Sequence, residues 1–231
     1  MSIRTEGKGS QVPGAEIQDV RIDPPGLEGR LTLPAGCGAV VLFAHGSGSS
    51  RFSPRNNYVA AALNVSGLGT LLFDLLLPEE EGDRAKVFGI ELLAERLLMA
   101  TQWLAEQPQT ARLALGYFGA STGAAAALVA ATRSPMEVRA VVSRGGRPDL
   151  AAEALPEVAA PTLLIVGGRD IEVLALNRAA LARLICEKQL QVVPGATHLF
   201  EEPGTLDTVI DLARGWLTEH LTKPRARSRV G

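Results

Sequence analysis

The sequence predicts a single α/β domain: a mostly parallel, doubly wound sheet with helices on both faces. Three observations carry that prediction. Near-continuous apolar runs, AVVLFAHG, GTLLFDLL, RLALGYFG, VRAVVSRGG and PTLLIVGG, read as strands covered on both sides. Amphipathic segments separate them, and strand–helix alternation is what parallel neighbours with crossover connections require. Most of the runs also close on small or polar punctuation, at Gly46, Asp74, Gly119, Ser143 and Gly167.

Taken in order, EIQDVRI alternates and GRLTLP is short, so both suit an early, partly exposed edge or hairpin. The apolar runs follow, and LQVVPG is a last short strand. Helical segments are expected at 58–65, 86–106, 121–132, 174–186 and 205–221. Within 86–106, Val87, Ile90, Leu93, Leu97, Leu98 and Trp103 recur near the helical period. No internal repeat, low-complexity linker or block of extra helices interrupts the pattern. The expected organisation is a flexible segment 1–16, one domain 17–221 and a basic, flexible tail 222–231.

Bulk properties narrow the function classes. A chain of 231 residues with 46% hydrophobic content can bury one substantial core. A net charge of −2 provides no electrostatic footprint for nucleic acid. Cys37 and Cys186 have neither metal nor CxxC spacing, which favours a reduced, cytoplasmic protein with packing cysteines. The N-terminus lacks an apolar signal region, and no run approaches the ~20 residues of a membrane span. The tail KPRARSRVG reads as a solvated end.

Ligands of open α/β sheets bind beyond the carboxyl ends of the strands, so chemistry is sought at those junctions. Gly119-Ala120-Ser121-Thr122-Gly123 matches the G-x-S-x-G nucleophile elbow, between a strand and a helix as the pattern demands. A sharp turn there needs small neighbours, and the helix N-terminus offers N–H groups to developing negative charge. The duller reading is that Ser121 only caps the helix. Of three histidines, His198 lies in a late loop, VVPGATHLFEEPG, and is the best base. His220, near the end of the last helix, suits the helix dipole. Asp170, just past PTLLIVGG, would fix the imidazole tautomer, unless it is merely an N-cap. Asp74 is a rival acid, but Ser121…Asp170…His198 is the chain order of an α/β-hydrolase.

The fourth junction is LFAHGSGSSRFSPRN. An oxyanion needs two fixed donors: one is the Thr122 N–H after the nucleophile, and the other should come from Gly46-Ser47-Gly48. Ser47 N–H is favoured over Gly48, with His45 propping the loop. Phosphate binding fails on pattern, because Arg51 stands where a dinucleotide fingerprint has its third glycine. No HExxH or His/Cys cluster supports a metal, and no cofactor is implied.

These residues resemble the α/β-hydrolase superfamily and, within it, small dienelactone-hydrolase-like members. The resemblance runs from about Ile17 to Leu221. HGSGSSRFSPRN, GYFGASTGAAAAL, SRGGRPDL, LLIVGGRD and GATHLFEEPG look especially like a bacterial subgroup also found fused to phosphoribosyltransferase domains. No such partner domain is present in this sequence. Dienelactone hydrolases use a cysteine nucleophile, whereas this chain has Ser121, which shifts the implied chemistry to general ester hydrolysis. The resemblance implies an acyl-enzyme mechanism on Ser121, Asp170 and His198.

Only about twenty residues separate the VRAVVSRGG and PTLLIVGG runs, enough for a short helix but no cap domain. An open pocket for small or short-chain esters is expected. Arg51 and Arg144 lie near strand ends, where each could meet a substrate carboxylate or tie down a loop. The run Glu79-Glu80-Glu81 borders the pocket or forms a solvated turn. The expected partner is a small-molecule ester, with no nucleic acid or membrane; oligomeric state is open, a homodimer included. A lyase, perhydrolase or acyltransferase on the same triad, or a catalytically silent binding module, are the alternatives.

Overall fold

Successive side chains of a strand point to opposite faces, so each continuous apolar run feeds two cores at once. In the computed structural model, which describes residues 14–222, eight strands form one sheet in the order β1-β2-β4-β3-β5-β6-β7-β8. They are β1 Glu16–Ile22, β2 Leu27–Leu33, β3 Ala39–Ala44, β4 Gly69–Phe73, β5 Ala114–Ala120, β6 Val138–Arg144, β7 Thr162–Gly167 and β8 Lys188–Val193. The expectations for residues 1–13 and 223–231 lie outside the described residues. The helices are α1 Pro54–Val65, α2 Arg84–Val87, α3 Ile90–Glu106, α4 Thr122–Arg133, α5 Ile171–Arg183 and α6 Thr205–Thr222.

Leu42, Tyr117, Val141 and Leu164 face α3, α4 and α5, while Phe43, Phe118, Val142 and Ile165 face α1 and α6. The first two strands form the expected antiparallel hairpin, and β2 pairs antiparallel with β4; every other pair is parallel. Between β6 and β7 stand only two short 3-10 turns, Pro148–Ala151 and Leu155–Glu157, so among the described residues this connection forms no cap over the strand ends.

Three helices differ from the sequence expectation, one of them α5, which starts after Asp170 and runs Ile171–Arg183 rather than 174–186. The segment expected to be one helix from 86 breaks at Gly89, which serves as the N-cap of α3. A side chain at Gly89 would sit 2.8 Å from the Ala85 carbonyl, so the chain bends where only glycine fits. The first helix starts at Pro54 rather than 58: Ser53 accepts from Asn56 N–H at 3.3 Å and Pro54 occupies the first position.

The strand order places the site. From β3 the chain moves to β4 on one side and later to β5 on the other, so β3 and β5 bracket the point where connections diverge. Ala44 and Gly119 are paired across these strands, and the two loops leave side by side. A side chain at Gly46 would lie 3.0 Å from Ser121 Cβ.

Candidate active site

The turn at Ser121 is held in a conformation that L-residues avoid, with φ 51° and ψ −120°. Strain of that kind costs on the order of 1–3 kcal/mol and persists only where the surroundings impose it. Here the backbone imposes it: Ser121 N–H donates to the Arg144 carbonyl at 3.2 Å, and Ser121 O accepts from Ala124 and Arg147 N–H, both at 3.1 Å. Side chains at Gly119 and Gly123 would collide with the Ala124 backbone and with the Ala44 and His45 carbonyls. The elbow glycines are therefore imposed by close approach of helix and strand. Ser121 occupies the N-cap position of α4, yet its side chain makes no capping hydrogen bond. Its hydroxyl is left for other work.

Asp170 likewise holds an N-cap position, on α5, without capping it. Its carboxylate instead meets His198, Nδ1 to Oδ2 2.6 Å. That contact assigns the proton to Nδ1 and leaves Nε2 as the basic nitrogen. The loop carrying His198 is drawn onto the end of β7 by two hydrogen bonds of 2.8 Å, Gly168 N–H to Val193 O and Arg169 N–H to Ala196 O. A side chain at Gly167 would lie 2.5 Å from the Ala196 carbonyl, so that approach also demands glycine. His198 and Ser121 meet the same stretch of β6. Arg144 O binds Ser121 N–H, and a side chain at the next residue, Gly145, would lie 3.1 Å from the His198 carbonyl and 3.6 Å from its ring Cε1.

The loop after β3 is fixed on its inner side by His45, which is buried. The Leu75 N–H points at Nε2 at 3.0 Å, so Nε2 accepts, and Nδ1–H donates to Gly46 O, also at 3.0 Å. Burial pushes the His45 pKa below its ordinary value, consistent with a neutral strut. Arg51 ties the outer end of the loop: its backbone N–H and guanidinium both bind Asp74, and the guanidinium also meets Glu28. Asp74, the rival acid, is thus engaged by Arg51, while Asp170 meets the histidine. Ser47 N–H donates to Thr122 Oγ1 at 3.0 Å.

Arg144 is buried with its Nη2 3.4 Å from Asn56 Oδ1, while Nε and Nη1 have no partner among the described residues. Burial, with Arg55 as a like-charged neighbour, lowers its pKa to about 10. His220 packs on Trp216, ring centroids 4.4 Å apart, on the last helix. Of the acidic run, Glu80 is buried with Arg96 and Lys86, whereas Glu81 faces a cleft of about 260 Å³. Ser47, Gly48, Leu76, Val87 and Leu93 are among the residues that line it. Among the described residues no group of three His, Cys, Asp or Glu is placed to hold a metal. No helix of the described residues is long and apolar enough to cross a membrane.

Sequence reasoning missed several supports. Asn177 is fully buried and donates to Gly146 O at 2.9 Å and Val173 O at 2.8 Å, anchoring the segment beside the elbow. The available signal was an asparagine on the apolar face of α5, in register with Val173 and Leu174. Glu202 accepts from Thr197 N–H at 3.1 Å, and Glu201 meets Arg55 of α1 at 2.9 Å, so both brace the His198 loop.

The sheet order, the elbow at its divergence point and the late histidine loop define an α/β-hydrolase fold. Within it the chain belongs to the dienelactone hydrolase family, whose model matches residues 83–212. A dienelactone hydrolase from Anabaena variabilis superposes with TM-score 0.87 at 54% identity, over 90% of this chain and 99% of that one. Est1E from Butyrivibrio proteoclasticus, with ferulic acid bound, has TM-score 0.77 at 15% identity, over 88% of this chain and 100% of that one, a likeness of fold alone. Two proteins of Mycobacterium tuberculosis named putative phosphoribosyl transferases are 63% identical over 209 residues, 90% of this chain. The chain spans only 47% of their length. That agrees with the resemblance to hydrolase segments of fused proteins.

Proposed function

We propose that this protein is a serine hydrolase of the carboxylesterase type, cleaving small or short-chain esters through an acyl-enzyme. The reading is supported by the strained, uncapping Ser121 at the end of β5 and by the His198–Asp170 pair at 2.6 Å beyond β7. His198 Nε2 takes the proton of Ser121 Oγ as the oxygen attacks the ester carbonyl, and Asp170 stabilises the imidazolium. The oxyanion settles against the Thr122 N–H, where the α4 N-terminus adds its dipole. The alcohol leaves with the proton from His198. Water then attacks the acyl-enzyme by the same route in reverse. The small cleft and the uncovered strand ends favour short acyl chains, and such a substrate would be met in the cytoplasm.

The test is intact mass after incubation with a fluorophosphonate, for wild type and Ser121→Ala. One adduct on wild type and none on the variant is expected. A folded wild type that takes no adduct would overturn the reading. Acetate and butyrate esters should be cleaved faster than long-chain esters.

A further inference from the structure

Thr122 stands at the first position of α4, immediately after the proposed nucleophile. That helix position asks nothing of a hydroxyl, because side-chain capping belongs to the preceding residue. Yet Thr122 is only 3% exposed and its Oγ1 accepts the Ser47 N–H at 3.0 Å. A backbone N–H carries one proton, so a bond of that length commits most of what Ser47 can offer. The hydroxyl has a proton of its own, free to rotate about the C–O bond, and no described group accepts it. A buried hydroxyl proton without an acceptor is costly, and a site that keeps one is complete only when an acceptor arrives.

The acceptor that arrives at this point is the carbonyl oxygen of the substrate. The Thr122 N–H and O–H leave the same residue, and both can converge on one oxygen beside Ser121. We propose that the Thr122 hydroxyl is itself an oxyanion-hole donor, polarised from behind by the Ser47 N–H. The Ser47 N–H then acts through Thr122 rather than directly on the oxyanion. Accepting a hydrogen bond makes a hydroxyl a stronger donor, and in a dry pocket the chain of two bonds reinforces itself. No proton changes owner in this step; the O–H bond stays intact while the oxyanion forms and collapses. The proposal deepens the serine-hydrolase reading and rests on it.

The experiment compares wild type, Thr122→Val, Thr122→Ala and Thr122→Ser on p-nitrophenyl acetate, with a trifluoromethyl ketone as an oxyanion-forming inhibitor and Ser121→Ala as the blank. Removing one oxyanion donor typically lowers kcat about 10²- to 10³-fold. Thr122→Val and Thr122→Ala should each show a loss of that order with KM nearly unchanged. Their affinity for the ketone should fall in parallel, and Thr122→Ser should restore both. A hydroxyl that only anchors the loop would instead lower the melting temperature and raise KM, leaving ketone affinity per turnover unaltered; that result overturns the proposal. So does undiminished kcat in either apolar variant. If Thr122→Val fails to fold, Thr122→Ala against Thr122→Ser decides alone. Wild type with neither turnover nor fluorophosphonate adduct would refute the hydrolase reading itself, and the proposal with it. An active wild type with indifferent Thr122 variants would refute only the role of the hydroxyl.

Discussion

Replacing His45 by leucine tests whether this histidine is a strut or a second base. The ring is 7% exposed and joins two loops, accepting the Leu75 N–H and donating to Gly46 O. Leucine is close enough in volume that little cavity forms, so the cost is mainly polar. A buried N–H left without a partner costs about 1–3 kcal/mol, and the Gly46 carbonyl loses a donor as well. We expect a loss of about 2–3 kcal/mol, which for a domain of this size lowers the melting temperature by about 4–12 °C. The pH dependence has a definite sign. Burial depresses the folded-state pKa of His45, so the unfolded chain takes up a proton that the native protein refuses. Stability from the neutral ring is therefore full above the unfolded value of about 6.5 and is lost as the pH falls below it. Chemical denaturation of wild type and His45→Leu at pH 8 and pH 5 isolates the term, because His198 and His220 are common to both. The gap between the two proteins should narrow at pH 5. An unchanged gap, or a variant as stable as wild type at pH 8, refutes the strut. Fluorophosphonate labelling separates the roles further: a strut variant still labels Ser121, more slowly, whereas loss of a required base would abolish the adduct.

Two further outcomes follow from the same geometry. Gly123→Ala would drive a methyl group into the Ala44 and His45 carbonyls, which as backbone atoms cannot swing away. Overpacking of that kind costs about 1–3 kcal/mol, and thermal melting together with esterase rate should show both destabilisation and severe loss of turnover. A variant with normal rate would mean that the elbow does not need its close approach. Glu81 presents a carboxylate to the cleft, with no ion-pair partner among the described residues. Glu81→Gln should lower kcat/KM for an ammonium-bearing ester about two- to fivefold relative to its neutral isostere, the range of an exposed ion pair. Equal effects on the two esters would show that the carboxylate lies outside the substrate's reach.

What the sequence determined by itself was everything encoded in short-range pattern. Strands appear as apolar runs because burial on both faces leaves no room for alternation. The elbow is legible because a sharp strand-to-helix turn demands small residues within five positions, and those positions are contiguous. The break at Gly89 and the start of α1 at Ser53-Pro54 were also local signals, outweighed by the apolar periodicity around them. Tertiary structure decided what depends on residues distant in the chain. Asp74 and Asp170 both follow apolar strands, and nothing local distinguishes them. One meets Arg51 and the other His198 only because β4 and β7 lie on opposite sides of the central pair. The same holds for the Ser47 N–H, which is a free donor on paper but is bonded to Thr122 in the fold, 75 residues away in sequence. Hydrogen bonds are short-ranged and directional, so which donors remain available is settled by how loops from neighbouring strands pack. Chain order predicts that those loops meet, and the sheet's register decides which atoms of theirs touch.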